Sequence, residues 1–140
     1  MNSLKIIRKI ISSSKAPRVA ASPYNQAVIA DRTVYVSGCL GLDKDTMTLM
    51  PGGAVPEMAK ALENLQAVLA AAGSGVDKVV KATIFVEDMG DFANINEEYK
   101  KVFTKDFPAR SCVQVAKLPM NAKVEIEVVA LTGEVETVSV

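Results

Sequence analysis

The 140-residue sequence contains no histidine. Without an imidazole the chain cannot assemble Ser-His-Asp or Cys-His catalysis from its own residues. The H-x-E/C-x-x-C signature of the zinc nucleoside deaminases is excluded for the same reason. Cysteine is also scarce: Cys39 and Cys112 are too few for a disulfide framework, and too few for a thiolate or imidazole metal site. No secretory apolar segment is expected ahead of the domain, which favours a reducing intracellular compartment. There is no tryptophan and only 5% aromatic residues, so any core must be built mainly from Val, Ile, Leu and Ala. No apolar run approaches the ~20 residues of a membrane helix. Sixteen basic residues balance sixteen acidic ones, which removes the global field that draws proteins onto nucleic acid or anionic membranes. The expectation is one soluble domain over residues 1–140, with chemistry resting on carboxylates, Arg, Lys, Tyr, hydroxyls and backbone groups.

One local charge asymmetry stands out. Residues 1–30 hold Lys5, Arg8, Lys9, Lys15 and Arg18 but no acid. Two readings are open: a weak mitochondrial presequence, or a first strand over residues 4–11, which are rich in Ile. Localisation is therefore expected to be cytoplasmic or mitochondrial.

Further along, residues 12–23 form a Ser/Ala/Pro-rich connection. Residues 26–30 and 33–37 read as two strands of a hairpin turning at Asp31-Arg32. Glycines, aspartates and Pro51 mark residues 38–53 as a loop. Val55, Met58, Leu62, Leu65, Leu69 and Ala72 follow a 3,4,3,4,3 spacing that predicts a helix over 55–72. Pro56 suits its first turn and Gly73 its C-terminal stop. Residues 78–86 alternate as a strand, with Val80, Ala82, Ile84 and Val86 on one side. A second helix is predicted over 92–104, capped by Asp91, with Phe92, Ile95, Tyr99 and Val102 on one face. Residues 111–116 and 123–132 complete the strands around a turn at 118–121. The order β-β-β-α-β-α-β-β implies an α+β domain, a six-stranded mixed sheet with both helices on one face. The other face is left uncovered, which points to oligomerisation.

Several segments, in order, resemble the Rid/YjgF reactive-intermediate deaminase family. They are Ser22-Pro23-Tyr24-Asn25-Gln26-Ala27, Val36-Ser37-Gly38, Ala71-Ala72-Gly73, Val80-Lys81-Ala82-Thr83, Asp91-Phe92 with Asn96 and Tyr99, Phe107-Pro108-Ala109-Arg110-Ser111-Cys112, Leu118-Pro119, and Val124-Glu125-Ile126-Glu127. The Phe-Pro-Ala-Arg block followed by the Glu-x-Glu strand is the most specific part. The resemblance implies a chorismate-mutase-like fold, a homotrimer packing its sheets into a barrel, and active sites in the clefts between subunits. It also implies cofactor-free, metal-free hydrolysis of 2-imino and enamine acids released by pyridoxal-phosphate enzymes. Two departures bear on substrate range: Ser22 stands where the family has Gly, and Cys39 where it has Gln.

An imino acid presents a carboxylate and an electrophilic C=N carbon. Arg110 suits the carboxylate, because its planar fork binds bidentately and never loses charge; a surface Arg after a Pro turn is the other reading. Glu125, on an apolar strand, suits proton transfer to and from water, burial raising its pKa; a structural ion pair is the alternative. Glu127 shares its face. Tyr24 and Asn96 match cleft positions and could bind substrate or water, or be a core ring and a surface amide. Ser37 and Gly38 could offer a hydroxyl and an N–H, or only shape a turn. Cys112 reads first as a small buried residue; the resemblance gives it a role through its backbone carbonyl. Two other functions stay open: an endoribonuclease or translation inhibitor, which the neutral charge and few aromatics disfavour, and a noncatalytic module binding small carboxylates.

Overall fold

The computed structural model describes residues 4–140. Its strands and helices are β1 (Arg8–Ile11), β2 (Ala27–Ala30), β3 (Thr33–Leu40), α1 (Ala54–Ala71), β4 (Val79–Val86), α2 (Phe92–Val102), β5 (Ala109–Gln114) and β6 (Val124–Leu131). They form one six-stranded mixed sheet in the order β1-β2-β3-β6-β4-β5. Only β4 and β5 pair in parallel. That pair needs a crossover connection, which α2 supplies. The predicted element order is observed. Of the basic N-terminal run, residues 1–3 lie outside the described residues, and the first strand begins at Arg8 rather than Leu4.

Both helices lie on one face and share a single core. Met58, Leu62, Leu65, Leu69, Ile95 and Tyr99 pack against Val34, Val36, Ala82, Ile84, Val124, Ile126 and Val128. The other face carries exposed apolar side chains, among them Ile10, Tyr35 and Val113.

α1 ends as its sequence suggests. Gly73, at φ 72°, takes the left-handed conformation that costs glycine little, while the Ser74 N–H reaches back to the Leu69 carbonyl. Five of the six spaced residues are buried. Val55 is not, because Ala54, Glu57 and Ala61 occupy the buried arc of the first turns and rotate it outward.

Other expectations need correction. α2 stops at Val102, and Asp91 does not cap it with its side chain. Asp88 does the capping instead, accepting from the Gly90 N–H at the start of a 3₁₀ turn that runs into the helix. β5 spans Ala109–Gln114 because its pairing partners are Lys81 to Val86. β4 is irregular between Val79 and Lys81, so Val79 takes the inward position and Val80 turns out. β3 does not end at Ser37. A bulge between Val36 and Cys39 lets it continue, pairing Cys39 with Ile126 and Leu40 with Glu125.

Candidate active site

The bulge in β3 shapes one half of the site. It brings Gly38 over Glu125, whose carboxyl packs against the bare Cα. Glu125 lies on β6 between buried Val124 and Ile126, so its side chain emerges on the face away from the helices. Its pKa is raised, mainly by burial and secondarily by the neighbouring Glu127 charge. Glu127, one step along the same face, is exposed.

Beside Glu125, where β3 runs past the end of β2, opens a cavity of about 450 Å³. Tyr24, Ser37, Gly38 and Glu125 line it together. The loop of residues 12–25 forms its outer wall, held by Gln26. This buried amide accepts from the Ser13 N–H (2.6 Å) and donates to the carbonyls of Ser13, Ala16 and Pro17. The Ser37 hydroxyl donates to the Asn25 carbonyl (2.6 Å), and the Tyr24 hydroxyl accepts from the Val19 N–H (3.1 Å). On the inner wall, Asn64 of α1 donates to the carbonyls of Leu40 and Leu42. The start of β6 is also pinned, since the buried Glu57 carboxylate accepts from the Lys123 N–H (2.8 Å). Burial raises the Glu57 pKa, and the Lys123 N–H and charge oppose the rise.

The second half is built on α2 and β5. Arg110 lies with its guanidinium carbon 4.7 Å from the centre of the Tyr99 ring and 5.7 Å from that of Phe92. Tyr99 in turn stacks on Phe103 at 4.3 Å. The aromatic faces hold the planar cation in place by cation–π attraction. A smaller cavity of about 220 Å³ is lined by Arg110, Asn96, Tyr99, Lys100, Phe107 and Pro108. Asn96 Oδ1 and the Tyr99 hydroxyl are buried there without a hydrogen-bond partner among the described residues. Burial raises the Tyr99 pKa and Arg110 opposes the rise, so the phenol keeps its proton at neutral pH. The sulfur chemistry is muted: burial pushes the Cys39 thiol up to about 12, with Glu125 adding to the rise. Burial raises Cys112 as well, partly countered by Arg110. A protonated thiol is a poor nucleophile.

The two halves do not meet in one chain. Register pairs Arg110 with Ala82, which is buried beneath the helices, and Thr83 with Glu127 on the open face. Arg110 thus projects on the helix side of edge strand β5, while Glu125 projects on the opposite side of β6. Two strand spacings, roughly 10 Å, separate their backbones as well. Cys112 shares the Arg110 face but lines neither cavity. Gln26, Asn64 and Glu57 were not foreseen as supports. The available signal was a polar residue inside an apolar stripe, as Glu57 and Asn64 are along α1.

The comparisons with known proteins agree with this architecture. The model of the family described as Endoribonuclease L-PSP matches residues 13–132. The RutC family protein UK114 of Drosophila melanogaster is 68% identical over 135 residues, covering 96% of this chain and 97% of its own length. A Bos taurus protein named 2-iminobutanoate/2-iminopropanoate deaminase is 48% identical over 134 residues, with the same coverages of 96% and 97%. Among solved structures, Escherichia coli TdcF with bound serine superposes with a TM-score of 0.83 at 40% identity, covering 89% of this chain and 99% of that one. The chain belongs to the endoribonuclease L-PSP family, the Rid/YjgF family that its motifs resemble.

Proposed function

We propose that this protein is an imine deaminase, hydrolysing 2-imino acids to 2-keto acids and ammonia in clefts completed between the subunits of a homotrimer. The observation that carries the reading is the placement of Arg110 and Glu125 on opposite faces of one sheet. A cleft containing both needs a second chain, and the open face with its exposed Tyr35 and Val113 offers the apolar area to recruit one.

The reaction then follows from the groups. Arg110 grips the substrate carboxylate with two parallel N–H donors, backed by the Tyr99 ring. The Asn96 amide oxygen and Tyr99 hydroxyl, without a partner among the described residues, complete the polar lining. From the protonated imine, Glu125 takes a proton from water as the water oxygen bonds to the C=N carbon, forming a carbinolamine. It returns that proton to nitrogen; as the C–N bond breaks it takes the carbinolamine hydroxyl proton, so the 2-keto acid forms, and that proton leaves with ammonia as ammonium. An enamine such as 2-aminoacrylate enters after gaining a proton at its terminal carbon. Pyridoxal-phosphate enzymes that eliminate water from serine or threonine generate such substrates, which places this chain downstream of them.

The test supplies 2-iminobutanoate from threonine with a dehydratase and follows the release of ammonia and 2-keto acid, with light scattering in parallel. Acceleration by a trimer supports the proposal. A stable monomer, or no acceleration, overturns it. Salt-sensitive RNA cleavage that survives Arg110→Ala favours a ribonuclease, and saturable binding without turnover a binding module.

A further inference from the structure

The match to the family ends at residue 132, and residues 133–140 follow a defined path beyond it. Where β6 ends, the Ser74 hydroxyl donates to the Leu131 carbonyl (2.7 Å) and the Thr132 N–H donates to the Arg32 carbonyl (3.0 Å). The Lys78 ammonium donates to the Gly133 carbonyl, and the chain turns there at φ 85°. The connection from α1 to β4 and the turn between β2 and β3 thus fix the point of departure together. From that turn the chain passes over the start of β4. Val135 and Thr137 then line a groove of about 210 Å³ with Val80, Phe107 and Pro108.

Phe107 and Pro108 also line the cavity that holds Arg110. The same short segment is therefore a wall of both spaces. Sheet pairing begins only after it, with Ala109 opposite Lys81, and α2 has already ended at Val102. Phe107 is 67% exposed, so the core does not grip its ring. Asp106, just before it, has φ 49°, a left-handed conformation unfavourable to a residue with a side chain. A segment that enters the sheet through a strained residue, with its ring outside the core, needs support from elsewhere. On the groove side, Val135 and Val80, which the irregularity in β4 turns outward, supply apolar side chains.

From these features we infer that residues 133–140 are a strap that positions the Phe107–Pro108 wall of the Arg110 cavity, with Val135 as the positioning residue. The kinetic side of the inference rests on the deaminase reading. Neither Arg110 nor Glu125 lines the groove, so the strap acts on substrate only through the wall. It governs how tightly a carboxylate is held beside Arg110. Glu125, on the opposite face of the sheet, keeps its surroundings whether the strap is present or not.

The experiment compares the full chain with one ending at Gly133, which keeps the anchoring hydrogen bonds of Ser74, Thr132 and Lys78. With 2-iminobutanoate supplied from threonine by a dehydratase, KM should rise by about fivefold or more while kcat stays within about twofold, the pattern of weakened binding. A chain that was merely destabilised would lose kcat through its unfolded fraction and keep KM. Val135→Ser should raise KM in the same direction, and Val135→Ile should keep the parental value. In parallel, hydrogen exchange at the amides of Phe107, Ala109 and Arg110 should quicken by about tenfold in the shortened chain, with Ile126 and Val128 unchanged. An unchanged KM in the shortened chain, a KM that moves together with kcat, or an equal rise in Val135→Ile overturns the inference and leaves the deaminase reading intact. If no form hydrolyses the imine, the deaminase reading fails and exchange alone decides on the strap. Faster exchange confined to residues 107–110 then supports it, and parental or uniformly faster exchange overturns it.

Discussion

The Glu125 carboxyl rests on the Cα of Gly38 so closely that a Cβ there would lie 2.6 Å from Glu125 Cδ and 2.8 Å from Oε2. Gly38→Ala is therefore expected to fold but to push the carboxyl aside. A displacement of about 1 Å at a reacting group costs up to roughly 10²-fold, so kcat/KM with an imine should fall by about 10–100-fold. Circular dichroism must stay parental for the result to count. Undiminished turnover would show that Glu125 has no fixed position to lose.

Glu125 and Glu127 lie on one strand face but in different surroundings, the first packed and the second exposed. Glu125→Gln keeps the shape and removes the exchangeable proton, so kcat should fall by about 10²–10⁴-fold. Glu127→Gln should cost much less. The reverse ranking in steady-state kinetics would move proton transfer to Glu127.

The same carboxyl has a signature in stability. Burial, then Glu127, raises the folded-state pKa of Glu125 above its ordinary 4.5. The folded chain holds that proton to higher pH than the unfolded chain, so stability drains away as pH rises from the ordinary value through the raised one. Glu125→Gln abolishes the loss. Its Tm should exceed the parent's at pH 7, and the gap should close below about pH 4. A gap that is equal at both pH values would assign it to packing instead.

Arg110→Lys retains a charge but loses the bidentate fork and the flat contact with Tyr99. A charge-assisted hydrogen bond contributes about 1.5–3 kcal/mol, so kcat/KM should drop by about tenfold or more. Circular dichroism should show an unchanged fold. Parental kcat/KM would remove Arg110 from carboxylate binding.

Gln26→Ala strips the amide that ties the 12–25 loop to the sheet. The unpaired backbone groups should cost ~1–3 kcal/mol. Urea unfolding at matched protein concentration measures the shift. An unaltered midpoint would show that water replaces the amide without penalty.

The element order is legible because each element carries its own marks: the stripe from Met58 to Ala72 with Pro56 and Gly73 at its ends, and the alternation of Val124, Ile126 and Val128. The bulges are not. One extra residue in a strand leaves no compositional trace, so Val80 reads as inward and β3 reads as ending at Ser37, although pairing with β6 carries it to Leu40. Motif resemblance selects Arg110 and Glu125, yet their opposite projection depends on the parallel pairing of Arg110 with Ala82, a tertiary fact. Likewise, no local pattern says that Gln26 reaches Pro17 or that Glu57 reaches Lys123.

Because Arg110 and Glu125 project from opposite sides of the sheet, damage to one need not be inherited by every cleft of an assembly. In the proposed trimer, a chain lacking a working Glu125 would still lend its arginine, and a chain lacking Arg110 its carboxylate. In randomly mixed trimers of two such crippled chains, about one cleft in four unites the two intact halves. Two inactive alleles of this protein would then rescue each other, as alleles of an enzyme with a self-contained site cannot.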